Sequence, residues 1–375
     1  MILEKIKNAN SIKKIRKSLL YSRIRQYFPM PDDAIVDDRD SLDVVDVFTI
    51  DWPTHIEKPK IGIVQDRGHY PKWTKYSRFL EHNSFEYEFY NIHVHDWIEK
   101  AKDFDIIIGF FSSEFWHLQE MREKYYILET FLGKTTYPSA EHANLYENKN
   151  LEAYITKCHG LQFANTYVSC DKEDAFHLVE TLKYPLVSKI VPGSGSLGAE
   201  LVHNPAQARK IVEQAFSRNG RRTFYHSFRQ KNYVYFQDYI PNDGYDIRAM
   251  VIGKKWGLGT HRKVLEGDFR ASGMNRVVFK ELAEEPLRIA RQVNEVVKSP
   301  MLCVDMVHGL DGQYHIIEMT PTFQLPYVDY MVVKGVPGIY VFDEDGSFHF
   351  EAKRYWLHDL CLTEFLLNHY LPKIL

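Results

Sequence analysis

The sequence predicts a mixed α/β fold, with a parallel sheet in its first half and antiparallel hairpins in its second. In residues 58–135, short apolar runs alternate with helical segments, which is typical of βαβ units. Further on, the apolar runs 301–310 and 314–323 are joined by an Asp-Gly turn at 311–312, which predicts an antiparallel hairpin. With 375 residues, the chain is long enough for two or three subdomains.

Composition and charge exclude several classes of protein. Hydrophobic residues make up 45% and charged residues 26% of the chain, as in ordinary globular proteins. The net charge of −3 argues against broad electrostatic binding of nucleic acid, so no nucleic-acid partner is expected. The four cysteines show no CxxC spacing, which indicates a reducing compartment. Because no apolar run reaches the ~18 residues of a membrane span and no signal core is evident, we expect a cytoplasmic protein.

The first 57 residues combine a basic and an acidic block. Residues 1–28 hold eight basic residues and one acidic residue, and their apolar residues recur at helical spacing. Residues 32–51 hold eight aspartates and one arginine. The basic helix can dock on the acidic block, or it can make peripheral contact with a membrane surface or a partner. Adjacency and opposite charge slightly favour docking.

Residues 58–135 predict an α/β domain without a bound cofactor. The pattern predicts strands at 60–65, 87–92 and 105–111, and helices at 73–82 and 94–102. The first strand is not followed by the glycine fingerprint of a dinucleotide site. The closest histidine pair, His93 and His95, has no further ligand nearby in the sequence, so we assign no metal to it.

A lysine-bearing strand at 184–190 leads into a glycine-rich turn. Helices are predicted at 148–160 and 171–182, and Lys189 lies just before the turn from Gly193 to Gly198. Glycines let backbone N–H groups approach phosphate oxygens, and a lysine supplies a point charge for them. The turn fits neither a Walker loop nor a GxGxxG opening a helix. Taken alone, it is more often a plain hairpin turn.

The next segment predicts two strands, 234–240 and 246–253, separated by a turn with Pro241 and Gly244. Asp246 and Arg248 share one face of the second strand because they are two residues apart. Their simplest joint explanation is a salt bridge with each other, and the alternative is a polar floor for a nucleotide. A helix at 284–298, a hairpin at 338–350 and a helix at 355–370 follow.

Two carboxylates are embedded in the apolar runs of the late hairpin. Val304 and Met306 flank Asp305, and two isoleucines precede Glu318. A carboxylate in an apolar strand is costly unless it is paired or binds a metal. A shared Mg²⁺ ion would remove the repulsion between the two, since Mg²⁺ takes one or two carboxylates plus substrate phosphates. The alternative is that each faces solvent or an arginine.

Taken in order, these motifs resemble the ATP-grasp superfamily, in particular its RimK-like amide-bond-forming ligases. The series comprises ENKN with Lys149, the Lys189 strand and its loop, QDYI, DGYDIR, GDFRASG, VDM and IIEMT, within residues 136–326. The resemblance implies an ATP-grasp fold with an N-terminal Rossmann-like pre-ATP-grasp domain. It divides the chain into 1–57, the pre-ATP-grasp domain 58–135, ATP-grasp subdomains 136–240 and 241–330, and a C-terminal extension 331–375.

The resemblance also implies roles for individual residues. The ATP phosphates would contact Lys149, Lys189 and a flap that includes Gly193, Ser194, Gly195 and Ser196. The adenine would lie at a hinge formed by Gln237, Asp238, Tyr239 and Ile240, and the ribose at Asp246. The arginines near the transferred phosphate and the substrate would be Arg248, Arg262 and Arg270. The Mg²⁺ carboxylates would be Asp305 and Glu318.

Two positions depart from the family pattern. The family's Glu-x-Asn is here Glu318-Met-Thr320, and a threonine hydroxyl is a weaker metal ligand than an amide oxygen. We therefore keep Thr320 as a third candidate ligand, at a metal position that is in doubt. Ser272 or Asn275 stands where the family places an Asn after its Phe-Arg.

The resemblance predicts an ATP-dependent carboxylate–amine ligase that forms an amide bond through an acyl phosphate. The substrates would be small-molecule or saccharide carboxylates and amines. A sugar or lipid-linked saccharide of a surface polysaccharide pathway and a peptide or amino acid are both compatible acceptors. Two other functions stay open: a small-molecule kinase on the same fold, and a nucleotide-binding regulatory protein without turnover. No catalytic base is assigned, and the oligomeric state stays open.

Overall fold

A computed structural model describes most of the chain. The described residues are 35–43, 45–66, 70–110, 112–193, 195–225, 228–264, 267–271, 277–278, 281–322 and 328–375. The basic helix predicted at 1–28, the flap residue Ser194, and the two alternatives Ser272 and Asn275 lie outside these residues. Within the described part, no helix is long and apolar enough to cross a membrane.

The first part of the described chain is a parallel four-stranded sheet with helices. Its strands are β1 (Ile61–Ile63), β2 (Tyr87–Phe89), β3 (Ile106–Ile108) and β4 (Thr135–Tyr137), in the order β2-β1-β3-β4. All neighbouring pairs are parallel, which confirms the prediction from the alternating pattern. The helices are α1 (Trp73–His82), α2 (Trp97–Ala101), α3 (Phe115–Thr130) and α4 (Ala140–Leu145).

Helix α3 was not predicted, although its sequence carries a helical signal. Its buried residues are Leu118, Met121, Tyr125 and Leu128, which recur every three or four positions. The signal is weak because large apolar residues also occupy the other face, where Trp116 and Tyr126 are exposed.

The second sheet is antiparallel and carries the glycine-rich turn. Its strands are β5 (Thr166–Ser169), β6 (Leu186–Ser188), β7 (Glu200–Val202) and β10 (Val234–Asp238), in the order β5-β10-β6-β7. The accompanying helices are α5 (Lys149–His159), α6 (Lys172–Thr181) and α7 (Pro205–Ala215). A separate hairpin of β8 (Arg221–Arg222) and β9 (Arg229–Gln230) precedes β10.

The third sheet carries the late carboxylates. It contains β11 (Asn242–Ile252), β12 (Trp256–Lys263), β14 (Met301–Gly309) and β15 (Tyr314–Thr320), with the short β13 (Val277–Val278) beside β12. The predicted hairpin of β14 and β15 is confirmed. Helix α8 (Glu284–Val297) packs on this sheet through its buried face.

Residues 331–375 are joined to the third sheet and to the first. A two-stranded unit, β16 (Val332–Val333) with β17 (Val336–Pro337), leads to β18 (Ile339–Phe342) and β19 (Phe348–Glu351), which extend the third sheet beyond β12. The chain ends in α9 (Leu357–Glu364), a π-helical segment Phe365–Tyr370 and α10 (Leu371–Ile374). Side chains of α9 lie in the same apolar core as side chains of β1, α1 and β14.

Candidate active site

One cavity lies between the second and third sheets and is lined by residues of both. The segment at 162–164 holds the two sheets together, because Ala164 N–H donates to Ile316 O (2.8 Å) and Ile316 N–H to Gln162 O (3.1 Å). Most of the residues predicted for ATP line this cavity: Lys149, Lys189, Gly193, Ser196, Gln237, Asp238, Tyr239, Ile240, Asp246, Arg262, Arg270, Asp305 and Glu318. Gly195, Arg248 and Thr320 are described but do not line it.

The hairpin register brings the two late carboxylates together. Asp305 on β14 lies opposite Glu318 on β15, and a β-bulge follows Asp305. Asp305 is buried, whereas the Glu318 side chain keeps 29% of its surface exposed. The sequence motif therefore places one carboxylate inside the sheet and the other at the cavity surface.

A chain of buried ion pairs crosses the third sheet. Arg248 binds Asp305 with both arms, at Nε–Oδ1 2.9 Å and Nη2–Oδ2 2.8 Å. Arg262 contacts Asp246 through Nη2–Oδ2 (2.8 Å) and also reaches Asp305 Oδ2 (2.8 Å). Burial opposes the charge of Asp305, but the two arginines outweigh it and hold the pKa of this carboxyl below its usual range. The cavity floor is thus a network of opposite charges.

The salt bridge expected between Asp246 and Arg248 is replaced by two cross-strand pairs. Asp246 lies directly opposite Arg262, and Arg248 directly opposite Asp305. Residues directly opposite each other have Cβ atoms about 4.5–5.5 Å apart, closer than the ~6.5 Å that separates positions i and i+2 along a strand. Asp246 and Arg248 therefore pair with residues on the neighbouring strands and not with each other.

Lys149 lies at the start of α5 and points into the cavity. The helix is capped by Asn148, whose side chain accepts from Leu151 N–H. Lys149 Nζ donates to Gly193 O (2.5 Å) and to Glu318 Oε1 (3.0 Å). Burial opposes its charge, yet the attraction of Glu318 and Glu147 outweighs burial and raises the pKa of Lys149 well above its usual range. It stays charged at neutral pH.

Lys189 reaches the same region from the second sheet. It is buried, and its Nζ donates to Ile317 O (2.8 Å), next to Glu318. Burial lowers the pKa of Lys189 to about 8. A buried ammonium group that donates to a backbone carbonyl is well placed to bind an added anion, because the anion would relieve its desolvation.

The glycine-rich turn lies over the two lysines. Gly193 and Ser196 line the cavity, and Gly195 (φ +55°) adopts a left-handed conformation that favours glycine. At Gly198, an added Cβ would lie 2.0 Å from Ile190 Cγ1. The turn therefore depends on glycine both for its backbone angle and for its close approach to Ile190.

The predicted hinge connects the second sheet to the third. Gln237 is buried and its Nε2 donates to Thr166 Oγ1 (3.0 Å), while Asp238 N–H donates to Asn165 O (2.9 Å). Ile240 lines the cavity, and no partner within the described chain accepts from its N–H. A backbone N–H of this kind suits a ring nitrogen of a base.

Arg270 and Thr320 differ in their relation to the cavity. Arg270 lines it and is held by Asp268 through Nε–Oδ1 (2.9 Å) and Nη2–Oδ2 (2.8 Å). Thr320 lies on the same strand as Glu318, but its hydroxyl donates to Thr322 O (2.9 Å). This placement gives no support to the predicted metal role of Thr320.

Two glutamates beside Lys149 were missed in the sequence. Glu147 Oε2 lies 3.7 Å from Lys149 Nζ, and Glu152 Oε2 accepts from Met319 N–H (3.1 Å). Burial raises the pKa of Glu147 to about 7 and that of Glu152 to about 8. Both flank the lysine in the ENKNLE motif, which was the available signal.

His93 has neighbours that its sequence position did not reveal. Its Nδ1 lies 3.0 Å from both oxygens of Glu120, and His117 is close enough to complete a three-ligand group. However, Ser112 N–H donates to His117 Nδ1 (3.1 Å), which leaves the proton on Nε2, and Lys124 pairs with Glu120 (2.6 Å). We explain this group as hydrogen bonds and ion pairs and assign no metal to it.

Comparison with known proteins identifies the fold and its chemistry. Residues 147–333 match the RimK-like ATP-grasp domain. The chain belongs to the ATP-grasp superfamily. A similar curated protein is the alpha-aminoadipate–LysW ligase LysX of Saccharolobus solfataricus, 24% identical over 256 residues that cover 66% of this chain and 88% of LysX.

Two further relatives support the same family. The ribosomal protein bS6–L-glutamate ligase of Escherichia coli is 28% identical over 116 residues, which cover 30% of this chain and 34% of that ligase. The structure of the D-alanine–D-alanine ligase from Bacillus anthracis matches with a TM-score of 0.51 and 19% identity. It covers 71% of this chain and 87% of that ligase, and it shows that the fold is shared. The chain is thus an ATP-dependent carboxylate–amine ligase of the ATP-grasp family.

Proposed function

We propose that the cavity between the second and third sheets binds ATP in one orientation. The adenine lies at the hinge, where the N–H of Ile240 has no acceptor among the described residues, and the phosphates lie under the glycine-rich turn at Lys149 and Lys189. The observation that carries this proposal is the convergence of two lysines, one at the start of α5 and one directly after β6, beneath one glycine-rich turn. Their charges offset those of a triphosphate.

We further propose that Mg²⁺ accompanies ATP at the late carboxylates. Glu318 fits as a ligand, because its Oε2 has no partner in the described chain and it lies at the cavity surface. Asp305 offers the right oxygen type but holds two arginines, so it would share its oxygens with them. When bound, Mg²⁺ neutralises phosphate charge during transfer.

In the proposed reaction, the protein positions the substrates and neutralises the charge of the phosphoryl group. A substrate carboxylate oxygen attacks the γ-phosphorus of ATP, which gives an acyl phosphate and ADP. A substrate amine then attacks the acyl carbon, the C–O bond to phosphate breaks, and the amine loses a proton as the amide forms. Lys149, Lys189 and Arg270 stabilise the charge that spreads over the transferring phosphoryl group. Arg248 acts through Asp305, which it orients.

We propose an amino acid or peptide substrate. The relatives' names specify alpha-aminoadipate and the LysW protein in one case, and L-glutamate and ribosomal protein bS6 in another. These names support amino-acid and peptide substrates for this chain as well. A saccharide acceptor stays a prediction, and none of the relatives named here supports it.

Hydroxylamine trapping tests the proposal even while the natural amine is unidentified. Hydroxylamine attacks an acyl phosphate and yields a hydroxamate, so a panel of amino acids and short peptides can be screened as carboxylates with ATP and Mg²⁺. We expect hydroxamate and ADP to appear in equal amounts with at least one acid. The Glu318→Gln variant serves as the inactive control.

Two outcomes would contradict the ligase assignment. Formation of ADP and a stable phosphorylated product, without hydroxamate, would indicate a kinase. ATP binding without formation of ADP across the whole panel would indicate a nucleotide-binding protein without turnover.

A further inference from the structure

A second cleft lies at the far end of the third sheet from the ATP cavity. It opens between the turn from β11 to β12, the C-terminal end of α8 and the π-helical segment Phe365–Tyr370. On β11, Asp246 lines the ATP cavity, whereas Gly253, just after the strand, lines the second cleft. The extended chain between these two residues spans about 24 Å. We refer to the second cleft as the distal cleft, and it shares no described lining residue with the ATP cavity.

The lining of the distal cleft is cationic. Lys254 and Lys255 belong to the turn, Arg291 belongs to α8, and Lys298 follows that helix. None of these four side chains forms an ion pair with the described part of the chain. The partial negative charge at the end of a helix attracts cations, but the two lysines of the turn belong to a different element. Their convergence with Arg291 and Lys298 therefore favours an external anion.

The two glutamates of the lining do not neutralise these cations. Glu364 is buried, and its Oε2 accepts from Asn368 Nδ2 (2.7 Å) while its Oε1 lies 3.6 Å from His369 Nε2. Its carboxylate also packs against Gly253, where an added Cβ would lie 2.0 Å from Glu364 Cδ. Glu364 thus joins the C-terminal segment to the turn. Glu295 is exposed on α8 and pairs with no described cation.

Ser299 adds a buried hydroxyl to the lining. It is fully buried, and its Oγ has no hydrogen-bond partner in the part of the chain that the structure describes. Asn294 fixes the backbone on both sides, because its Nδ2 donates to Ser299 O (3.0 Å) and its Oδ1 accepts from Ser299 N–H (3.0 Å). A buried polar group without a partner is rare in native proteins. A ligand oxygen in the cleft would give this hydroxyl an acceptor, since a serine hydroxyl can turn about χ1.

Lys298 occupies a backbone conformation that favours glycine. It is the C-cap of α8, with φ +54°. Helices commonly end with glycine in this left-handed conformation, because a Cβ atom makes it costly. Backbone strain of this kind is concentrated at ligand-binding and catalytic sites. The strained position here presents a lysine to the distal cleft.

We propose that the distal cleft binds a small anion with several phosphate groups. Lysines act as point charges for phosphate, whereas carboxylates are matched best by arginine forks, and Arg291 is the one arginine among the described lining residues. A single-stranded nucleic acid fits less well, because its bases stack on aromatic side chains and the described lining contains no Phe, Tyr or Trp. The proposal does not depend on the proposed function, because this site is separate from the ATP cavity.

The test titrates inorganic tripolyphosphate into the full chain by calorimetry, with the ATP cavity filled by Mg²⁺ and a non-hydrolysable ATP analogue. The Lys254→Glu/Lys298→Glu variant reverses two charges of the distal cleft. The Lys172→Glu/Lys183→Glu variant is the matched control, because it changes the net charge equally at exposed positions that line neither space. We expect the cleft variant to bind tripolyphosphate at least tenfold more weakly and with a shallower salt dependence. The control should bind within twofold of wild type.

The Ser299→Ala variant separates a built site from diffuse charge attraction. It leaves the net charge unchanged and removes a hydroxyl that has no partner in the described chain. The melting temperature without ligand should therefore not fall. We expect tripolyphosphate to bind at least fivefold more weakly, because a hydrogen bond to a charged group is lost.

Four results would overturn the proposal. They are no tripolyphosphate binding by wild type, equal weakening in the two double variants, unchanged affinity in Ser299→Ala, and tighter binding of a labelled thymidine hexanucleotide. Failure of wild type to bind the ATP analogue would instead contradict the proposed function. The comparison of variants would still hold, because none of the substituted residues lines the ATP cavity. If the cleft variant unfolds, Lys254→Gln/Lys298→Gln replaces it under the same criteria.

Discussion

Lys189 illustrates how burial tunes a side chain for an anionic ligand. The sequence identified it from a strand followed by glycines, and the structure adds that its amine is buried and donates to Ile317 O. Burial lowers the pKa of Lys189 to about 8. The amine is still mostly charged at neutral pH, but its burial makes that charge costly. A phosphate oxygen would remove that cost and gain a charge-assisted hydrogen bond.

Replacing this lysine by methionine should weaken ATP binding. We expect Lys189→Met to raise the dissociation constant for ATP at least tenfold, because a hydrogen bond to a charged group contributes about 1.5–3 kcal/mol. Calorimetry on folded protein measures the change. Lys183→Met is the matched control, since Lys183 is exposed and does not line the cavity. An affinity within threefold of wild type would remove Lys189 from the ATP site.

Glu318 and Thr320 should respond differently to substitution. Glu318 lines the cavity, and its Oε2 has no partner in the part of the chain that the structure describes, whereas the Thr320 hydroxyl donates to Thr322 O. We expect Glu318→Gln to reduce hydroxamate formation at least a hundredfold, a loss of about 2.7 kcal/mol of transition-state stabilisation. Thr320→Val should change it less than threefold. Mg²⁺ titrations of both variants provide the readout.

The opposite pattern would reassign the metal position. If Thr320→Val raises the Mg²⁺ concentration needed for half-maximal activity tenfold while Glu318→Gln does not, Thr320 is the ligand and Glu318 serves only Lys149. Chelation by EDTA should abolish activity of the wild-type protein in either case.

Sequence patterns predicted single residues better than their pairings. The positions of Lys149, Asp305 and Glu318 on their elements follow from local patterns of apolar residues and glycines. The pairing of Asp246 with Arg262 could not be predicted, because it depends on which strand lies next to β11. The raised pKa of Glu152 was equally hidden, since its burial is created by β15, far away in the sequence.

At the scale of elements, strand register sets the electrostatics of the third sheet. β11 lies between β12 and β14, and its Asp246 and Arg248 each face a partner of opposite charge. Removing one partner from a buried ion pair leaves the other charge uncompensated, which costs about 3–5 kcal/mol. The carboxylate of Asp305 is the point where both arginines meet.

Asp305→Asn should therefore destabilise the fold as well as the proposed metal site. We expect urea denaturation at pH 7 to show a loss of about 3–5 kcal/mol in the free energy of unfolding. The arginines hold the pKa of Asp305 below its usual range, so its contribution is present above about pH 4 and is lost as pH falls further. The difference between variant and wild type should narrow below about pH 4.

Asp103→Asn is the matched control for this measurement. Asp103 is exposed, and we expect a change within about 0.5 kcal/mol. Equal stability of Asp305→Asn and wild type across the pH range would show that the ion pairs contribute nothing to folding.

At the scale of the whole molecule, the C-terminal helices connect parts that the sequence had separated. Every residue of α9 is buried. Asp359 Oδ2 accepts from Phe48 N–H (3.2 Å), near the start of the described chain. The apolar pattern of 355–370 predicted a helix, but no local signal indicates which distant surfaces a helix will cover. The division at residue 330 therefore separates segments that share one sheet and one core.

Truncation of the C-terminal helices should abolish folding of the whole chain. Leu360, Leu362, Phe365 and Leu366 are at most 2% exposed. Full burial of each such side chain contributes about 1.5–3 kcal/mol, so together they match the roughly 5–15 kcal/mol that stabilises a typical domain. We expect a chain ending at Lys353 to lose its cooperative thermal transition, to bind no ATP and to be degraded rapidly in limited proteolysis.

A chain ending at Leu371 is the control, because α10 contains no buried residue. Wild-type ATP affinity in the chain ending at Lys353 would show instead that the ATP-grasp subdomains fold without this helix.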